Sequence, residues 1–162
     1  MSSTRCHRFP ILVVSFGLLL AVPTPAQQGK KYGTLFLKEF QPKNAEETDV
    51  VNVLMQYEAA FNSHDLERLV SLFEKDAIYY PCGYMKCRIA NKDCQDRTRA
   101  NFSIYGFETY YDPQILLNGD KAIVKLLLET GALLVDYTFS LSKESGEWRV
   151  AETSYINVRY KG

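Results

Sequence analysis

The chain carries no excess of either charge, with 19 lysines and arginines against 19 aspartates and glutamates among 162 residues. Binding to a phosphate backbone draws on a cationic surplus, so this balance argues against nucleic acid as a partner. Histidine is scarce: His7 lies in the leader described below, which leaves His64. With that single imidazole at a helix corner and no Gly-x-Ser-x-Gly elbow, a serine hydrolase is disfavoured. Glycine-rich phosphate loops, zincin helices and calcium loops are missing, and nothing in the pattern calls for a cofactor. The main apolar run, Ile11 to Val22, is shorter than the roughly 20 residues needed to span a bilayer as a helix.

What is present describes one folded domain. A hydrophobic fraction of 46% is too high for a disordered chain, and the length suits a single unit. The aromatics, mostly 11 Tyr and 9 Phe, fit a sheet-rich core or a pocket with polar tips. At the N-terminus, Arg5, His7 and Arg8 precede the apolar run, which ends in Thr24-Pro25-Ala26. Residues 1–26 therefore read as a signal peptide cleaved after Ala26, and the mature protein is expected to be secreted or periplasmic without a membrane anchor.

Cys82, Cys87 and Cys94 remain after cleavage, in a compartment where disulfides persist. Their spacings, without a nearby histidine, match zinc patterns poorly, so no metal site is expected. A local disulfide fits better. Cys82 with Cys87 is marginally favoured, with the other pairings and three free thiols left open.

Residues 27–43 read as a linker with a short strand. From Asn44 the period becomes helical: Asn44 can cap, Glu47 follows three residues on, and Val50, Val53, Leu54, Tyr57, Ala60 and Phe61 form an apolar face to about Asn62. Asp65 is the expected cap of a second helix with Leu66, Leu69, Val70 and Phe73 as its stripe. A strand is expected over Ala77 to Tyr80, and a less regular third helix over Asn91 to Tyr105. After Gly106 the period is two, in four runs: Phe107 to Leu117, Ala122 to Thr130, Leu133 to Leu141 and Glu147 to Val158. Asn118-Gly119-Asp120, Gly131-Ala132 and Glu144-Ser145-Gly146 are the turns between them. Helices first and consecutive strands afterwards give an α+β domain, residues 44–160, with the helices covering one face of a curved sheet.

The stretch "VLMQYEAAFNSHDLERLVSLFEKDAIYY", a variable helical segment, long meander strands and the ending "GEWRVAETSYI" resemble the nuclear-transport-factor-2-like superfamily, in particular its SnoaL-like and ketosteroid-isomerase-like branch. The resemblance implies a cystatin-like cone, a strongly bent sheet wrapped around helices with a pocket at the wide end, and frequent homodimers. It does not fix an activity, because this fold carries isomerases, dehydratases, cyclases, hydrolases and non-catalytic modules. Many relatives place a histidine six residues after the tryptophan of the last strand, where this chain has Ser154.

A productive cone needs a carboxyl whose pKa is raised by apolar walls, or a tyrosine donor facing a developing oxyanion. Strict alternation from Trp148 through Val150 aims Glu152 and Ser154 inward and makes Glu152 the expected acid or base. The same alternation gives Tyr111 and Tyr137 to the interior, where Tyr57 and Tyr79 complete the wall. These residues predict an exported domain that binds a small, partly apolar molecule. The alternatives are an isomerase or dehydratase using a pocket carboxylate and tyrosine, and a non-catalytic dimeric assembly module. Asn101-Phe102-Ser103 is a formal glycosylation sequon.

Overall fold

The computed structural model describes residues 32–80 and 85–161; the expected signal peptide and Cys82 lie outside them. Helix α1 (Ala45–Asn62) starts where the cap requires, with the Asn44 side chain accepting from the Glu47 N–H at 2.9 Å. The Glu47 carboxylate accepts from the Lys43 N–H at 2.8 Å, one residue outside the position of a standard capping box. All six predicted apolar positions of this helix are buried. Each large one contributes about 1.5–3 kcal/mol by leaving water. Asp65 caps α2 (Leu66–Ser71) by accepting from the Arg68 N–H at 3.0 Å.

The second helix is shorter than its apolar stripe suggests. Phe73 already belongs to β1 (Phe73–Tyr79), because its Cα lies opposite Val150 and the Leu72 carbonyl accepts from the Val150 N–H at 2.9 Å. A short strand β2 (Cys87–Arg88) and α3 (Lys92–Tyr105) follow. The meander is β3 (Glu108–Asn118), β4 (Lys121–Thr130), β5 (Leu133–Glu144) and β6 (Glu147–Tyr160). Gly119, Gly131, Ser145 and Gly146 take positive φ in its turns, as the turn residues predict. The six-stranded sheet has the order β2-β1-β6-β5-β4-β3, with β1 parallel to β6 and every other pair antiparallel. Three helices pack against this curved, unclosed sheet, so the α+β expectation holds.

The strand pairing steps at four places, between Phe73 and Ile78 of β1, between Tyr111 and Gln114 of β3, and at Ala151 and Asn157 of β6, and two of these decide the facing of expected site residues. In β3 the pairing steps between Tyr111 and Gln114, where Asp112 sits at φ 52° and is followed by Pro113. In β6, Glu152 lies opposite Ser140 while Val150 lies opposite Leu141, so Ala151 is the extra residue. An extra residue reverses the side to which later side chains point.

The segment before α1 is more than a linker. Phe36 bridges Tyr111, and Leu37 in a 3-10 turn (Leu37–Glu39) is buried. The Asp112 carboxylate accepts from the Leu35 N–H at 2.8 Å and the Thr34 hydroxyl at 2.6 Å, fastening this segment along the edge strand β3. Around Tyr111 and Asp112, the edge so covered does not offer its backbone groups to another chain. Gly33 crosses close enough that a Cβ there would fall 2.2 Å from that of Tyr111. In the first turn of α1, the Glu46 carboxylate accepts from Trp148 Nε1 at 3.0 Å and Lys143 Nζ at 2.8 Å, tying the last hairpin to the helix. Asn101 of the sequon is buried in α3 and is closed to glycosylation in the folded state.

The favoured cysteine pairing is corrected. Cys87 of β2 bonds Cys94 of α3, with Cα atoms 5.7 Å apart, because the turn after β2 folds the first turn of α3 back beside the strand. Peptide mapping without reduction should recover a Cys87–Cys94 linkage; recovery of Cys82–Cys87 instead would contradict the structure. Cys94→Ser should lower stability by about 2.5 kcal/mol for so short a loop, measured by denaturant unfolding.

Candidate functional site

The interior of the cone is built from the side chains that the bulges leave facing α1. Tyr57 lies at its centre. Its ring packs edge-on against Phe139 with centroids 5.0 Å apart, and its neighbours include Phe73 and Tyr110. The Tyr57 hydroxyl donates to the Tyr79 hydroxyl at 3.2 Å. The Tyr137 hydroxyl stands in hydrogen-bonding contact with those of Thr153 and Tyr57. Thr153 is fully buried and accepts from the Tyr80 N–H at 3.3 Å. Burial pushes the phenols of Tyr57, Tyr110 and Tyr137 upward, so they remain neutral donors.

One carboxyl shares this interior. Glu108, the first residue of β3, is 8% exposed, and its Oε2 accepts from the Tyr110 hydroxyl at 2.5 Å. Its backbone is fixed by the last residue of α1: Asn62 Oδ1 accepts from the Glu108 N–H at 2.7 Å, and Asn62 Nδ2 donates to the Glu108 carbonyl at 2.8 Å. Desolvation raises the Glu108 carboxyl to about 8; the Tyr110 hydrogen bond works against this rise, and the nearby Glu58 carboxylate adds to it. Glu58 is itself raised, first by burial, with relief from the Tyr110 backbone and Lys38. Near neutral pH the site therefore presents an uncharged carboxylic acid among neutral phenols.

The structure gathers three of the expected residues, Tyr57, Tyr79 and Tyr137, and turns three away. Tyr111 faces the opposite side of β3, where its ring meets Phe36 at 4.8 Å and its hydroxyl donates to Glu129 at 2.8 Å. Glu152 is exposed on the outer face opposite Ser140, and Ser154 lies opposite Thr138 on that same face. The physical reason is the same in both strands. The bulge at Asp112 swaps Tyr111 for Glu108 and Tyr110, and the bulge at Ala151 swaps Glu152 and Ser154 for Thr153 and Tyr155. Pro113 inside the β3 run was the available signal, since proline within a strand marks an edge or a bulge. Among the described residues no group of three or more potential ligands is placed to hold a metal ion.

The backbone arrangement recurs in solved structures of low sequence identity. A cystatin-like-fold protein of unknown function from Nostoc punctiforme superposes with a TM-score of 0.59 at 13% identity, covering 69% of this chain and 91% of its own. An NTF2-like protein of unknown function from Shewanella baltica gives 0.60 at 15% identity, covering 75% of this chain and all 100% of its own. The chain has the NTF2-like, cystatin-like fold. A third structure with this NTF2-like fold, from Shewanella frigidimarina and provisionally named a ketosteroid isomerase, gives 0.55 at 18% identity over 67% of this chain and 94% of its own. No protein-family model matches the chain, and no curated protein matches it in sequence.

A carboxyl raised on folding makes this NTF2-like domain less stable as pH rises. The unfolded group loses its proton near 4.5, whereas the folded one keeps it to about 8, so the unfolded state binds fewer protons in that window. Unfolding free energy should fall between those limits at up to about 1.4 kcal/mol per pH unit. Glu108→Gln should flatten the slope in urea titrations across the series. An unchanged slope in the variant would show that Glu108 ionises normally.

Proposed function

We propose that the protein is exported and that the cone interior binds a small, partly apolar molecule carrying a carbonyl or phenolic oxygen. The observation that supports this most strongly is the buried Glu108–Tyr110 pair beside the hydroxyls of Tyr57 and Tyr137. With Oε2 accepting from Tyr110, the proton of the neutral acid resides on Oε1, which is then a donor. Aromatic walls supply apolar contact, and uncharged donors fix one ligand oxygen; such sites bind by a few well-placed polar groups on an apolar surface.

A second reading, proton transfer of the isomerase or dehydratase type, is favoured by one observation: a carboxyl titrating near 8 is matched to moving a proton close to neutral pH. In that reaction the ionised Glu108 would take a proton from carbon next to the ligand carbonyl, a tyrosine hydroxyl would hold the resulting oxyanion, and the proton would return at another carbon. The name given to the Shewanella frigidimarina structure is compatible with this chemistry.

Glu108→Gln separates the two readings, because glutamine keeps a neutral donor and removes the acid. A thermal-shift panel of cyclic ketones and phenols, set against matching hydrocarbons, should raise the melting temperature only for the oxygenated members. The binding reading predicts that Glu108→Gln retains these shifts and that Tyr110→Phe weakens binding about fivefold, the effect of one hydrogen bond of roughly 1 kcal/mol. The enzymatic reading adds a turnover that Glu108→Gln abolishes. Equal shifts for the hydrocarbons, or none for any member, would contradict both.

A further inference from the structure

The opposite face of the sheet carries a groove of about 470 Å³, within the size range of small-molecule sites. It crosses five strands, lined by Glu74 of β1, Ala151 of β6, Ser140 of β5, Lys121 and Ile123 of β4 and Leu116 of β3. The register sets Leu116 opposite Ile123 and Ile123 opposite Ser140, and the bulged Ala151 lies beside the step at Ser140. The middle of the row is therefore made of small side chains. Leu116 and Ile123, 65% and 41% exposed, present apolar surface along one side.

At the other end, the Oε1 atom of Glu74 is buried and has no hydrogen-bond partner among the described residues. An acceptor removed from water without a donor is unfavourable, and turning the Glu74 carboxylate toward a donor held in the groove relieves it. Burial raises the Glu74 carboxyl first, the charge of Glu144 adds to the rise, and Lys121 opposes both with the smallest effect. The local balance near Glu74 is thus acidic, which favours a cationic donor over a neutral one. Lys121 disfavours a second positive group further along.

We propose that this groove binds a small amphiphilic monoamine, its ammonium group pairing with the Glu74 carboxylate at the groove's end and its apolar body lying over Ala151, Ile123 and Leu116. The site lies on the side of the sheet away from Glu108 and is independent of the function proposed for the cone interior.

Methyl and amide NMR titrations of the full folded protein with 2-phenylethylammonium test this, with 2-phenylethanol and 3-phenylpropionate as neutral and anionic analogues. The amine should perturb Leu116 and Ile123 and leave Tyr57 and Tyr137 unmoved, the alcohol should bind at least tenfold more weakly, and the carboxylate should not bind. Glu74→Gln should weaken the amine at least tenfold. Ala151→Leu, which keeps Glu74 and fills the middle of the groove, should abolish the perturbations and carries the test if the first variant fails to fold. Equal binding of amine and carboxylate, or an affinity unchanged in both variants, would overturn the proposal. So would sedimentation showing a dimer that buries Leu116 and excludes the amine.

Discussion

The bend of the sheet around α1 decides which side chains meet, and two of its bulges, at Asp112 and Ala151, decide which residues of β3 and β6 face the helix. Without the step at Asp112, the half of β3 that pairs with β4 near Ile115 and Leu117 would dictate the facing of the other half, and Glu108 and Tyr110 would point outward. Without Ala151, Thr153 could not reach Tyr137. The first of these bulges also holds the β3 edge. Asp112, freed from the ladder by its positive φ, turns its carboxylate to the segment before α1 and secures it across β3.

Burial then does the electrostatic work. The cone surrounds Glu108 with aromatic rings and supplies one phenol, Tyr110, but no cation contributes to its shift. A carboxylate in such surroundings lacks the solvation that would hold it ionised, so the proton stays. Asn62 satisfies the peptide groups of Glu108, which leaves its carboxyl to face the interior beside the hydroxyls of Tyr57 and Tyr137. The arrangement is costly to stability at alkaline pH, and a site that was only structural would be served equally well by an apolar residue at this position.

Much of the fold could be read from the sequence because local chemistry and packing agree. Asn44 and Asp65 cap the helices they were expected to cap, and the turn residues at Gly119, Gly131 and Gly146 lie where the meander reverses. Tyr57 and Tyr137 are legible as interior residues because each sits on an uninterrupted helical or strand period, and Tyr79 because it alternates with the buried Ala77 beyond the step in β1. Tyr111, Glu152 and Ser154 were misplaced because alternation counts residues and a bulge changes the count. Position 113 carried a warning in its proline, whereas Ala151 gives none. The Cys87–Cys94 bond depends on where α3 begins relative to β2, which spacing alone does not specify.

The protonation state of Glu108 is the hinge of this reading and can be observed directly. Carbon-13 NMR of the glutamate side-chain carboxyls, with Glu108→Gln to assign the resonance, follows its titration in the folded protein. A midpoint near 8, with the group protonated at pH 7, is expected. A midpoint in the ordinary carboxylate range would show a charged group in the cone and contradict the neutral-acid site.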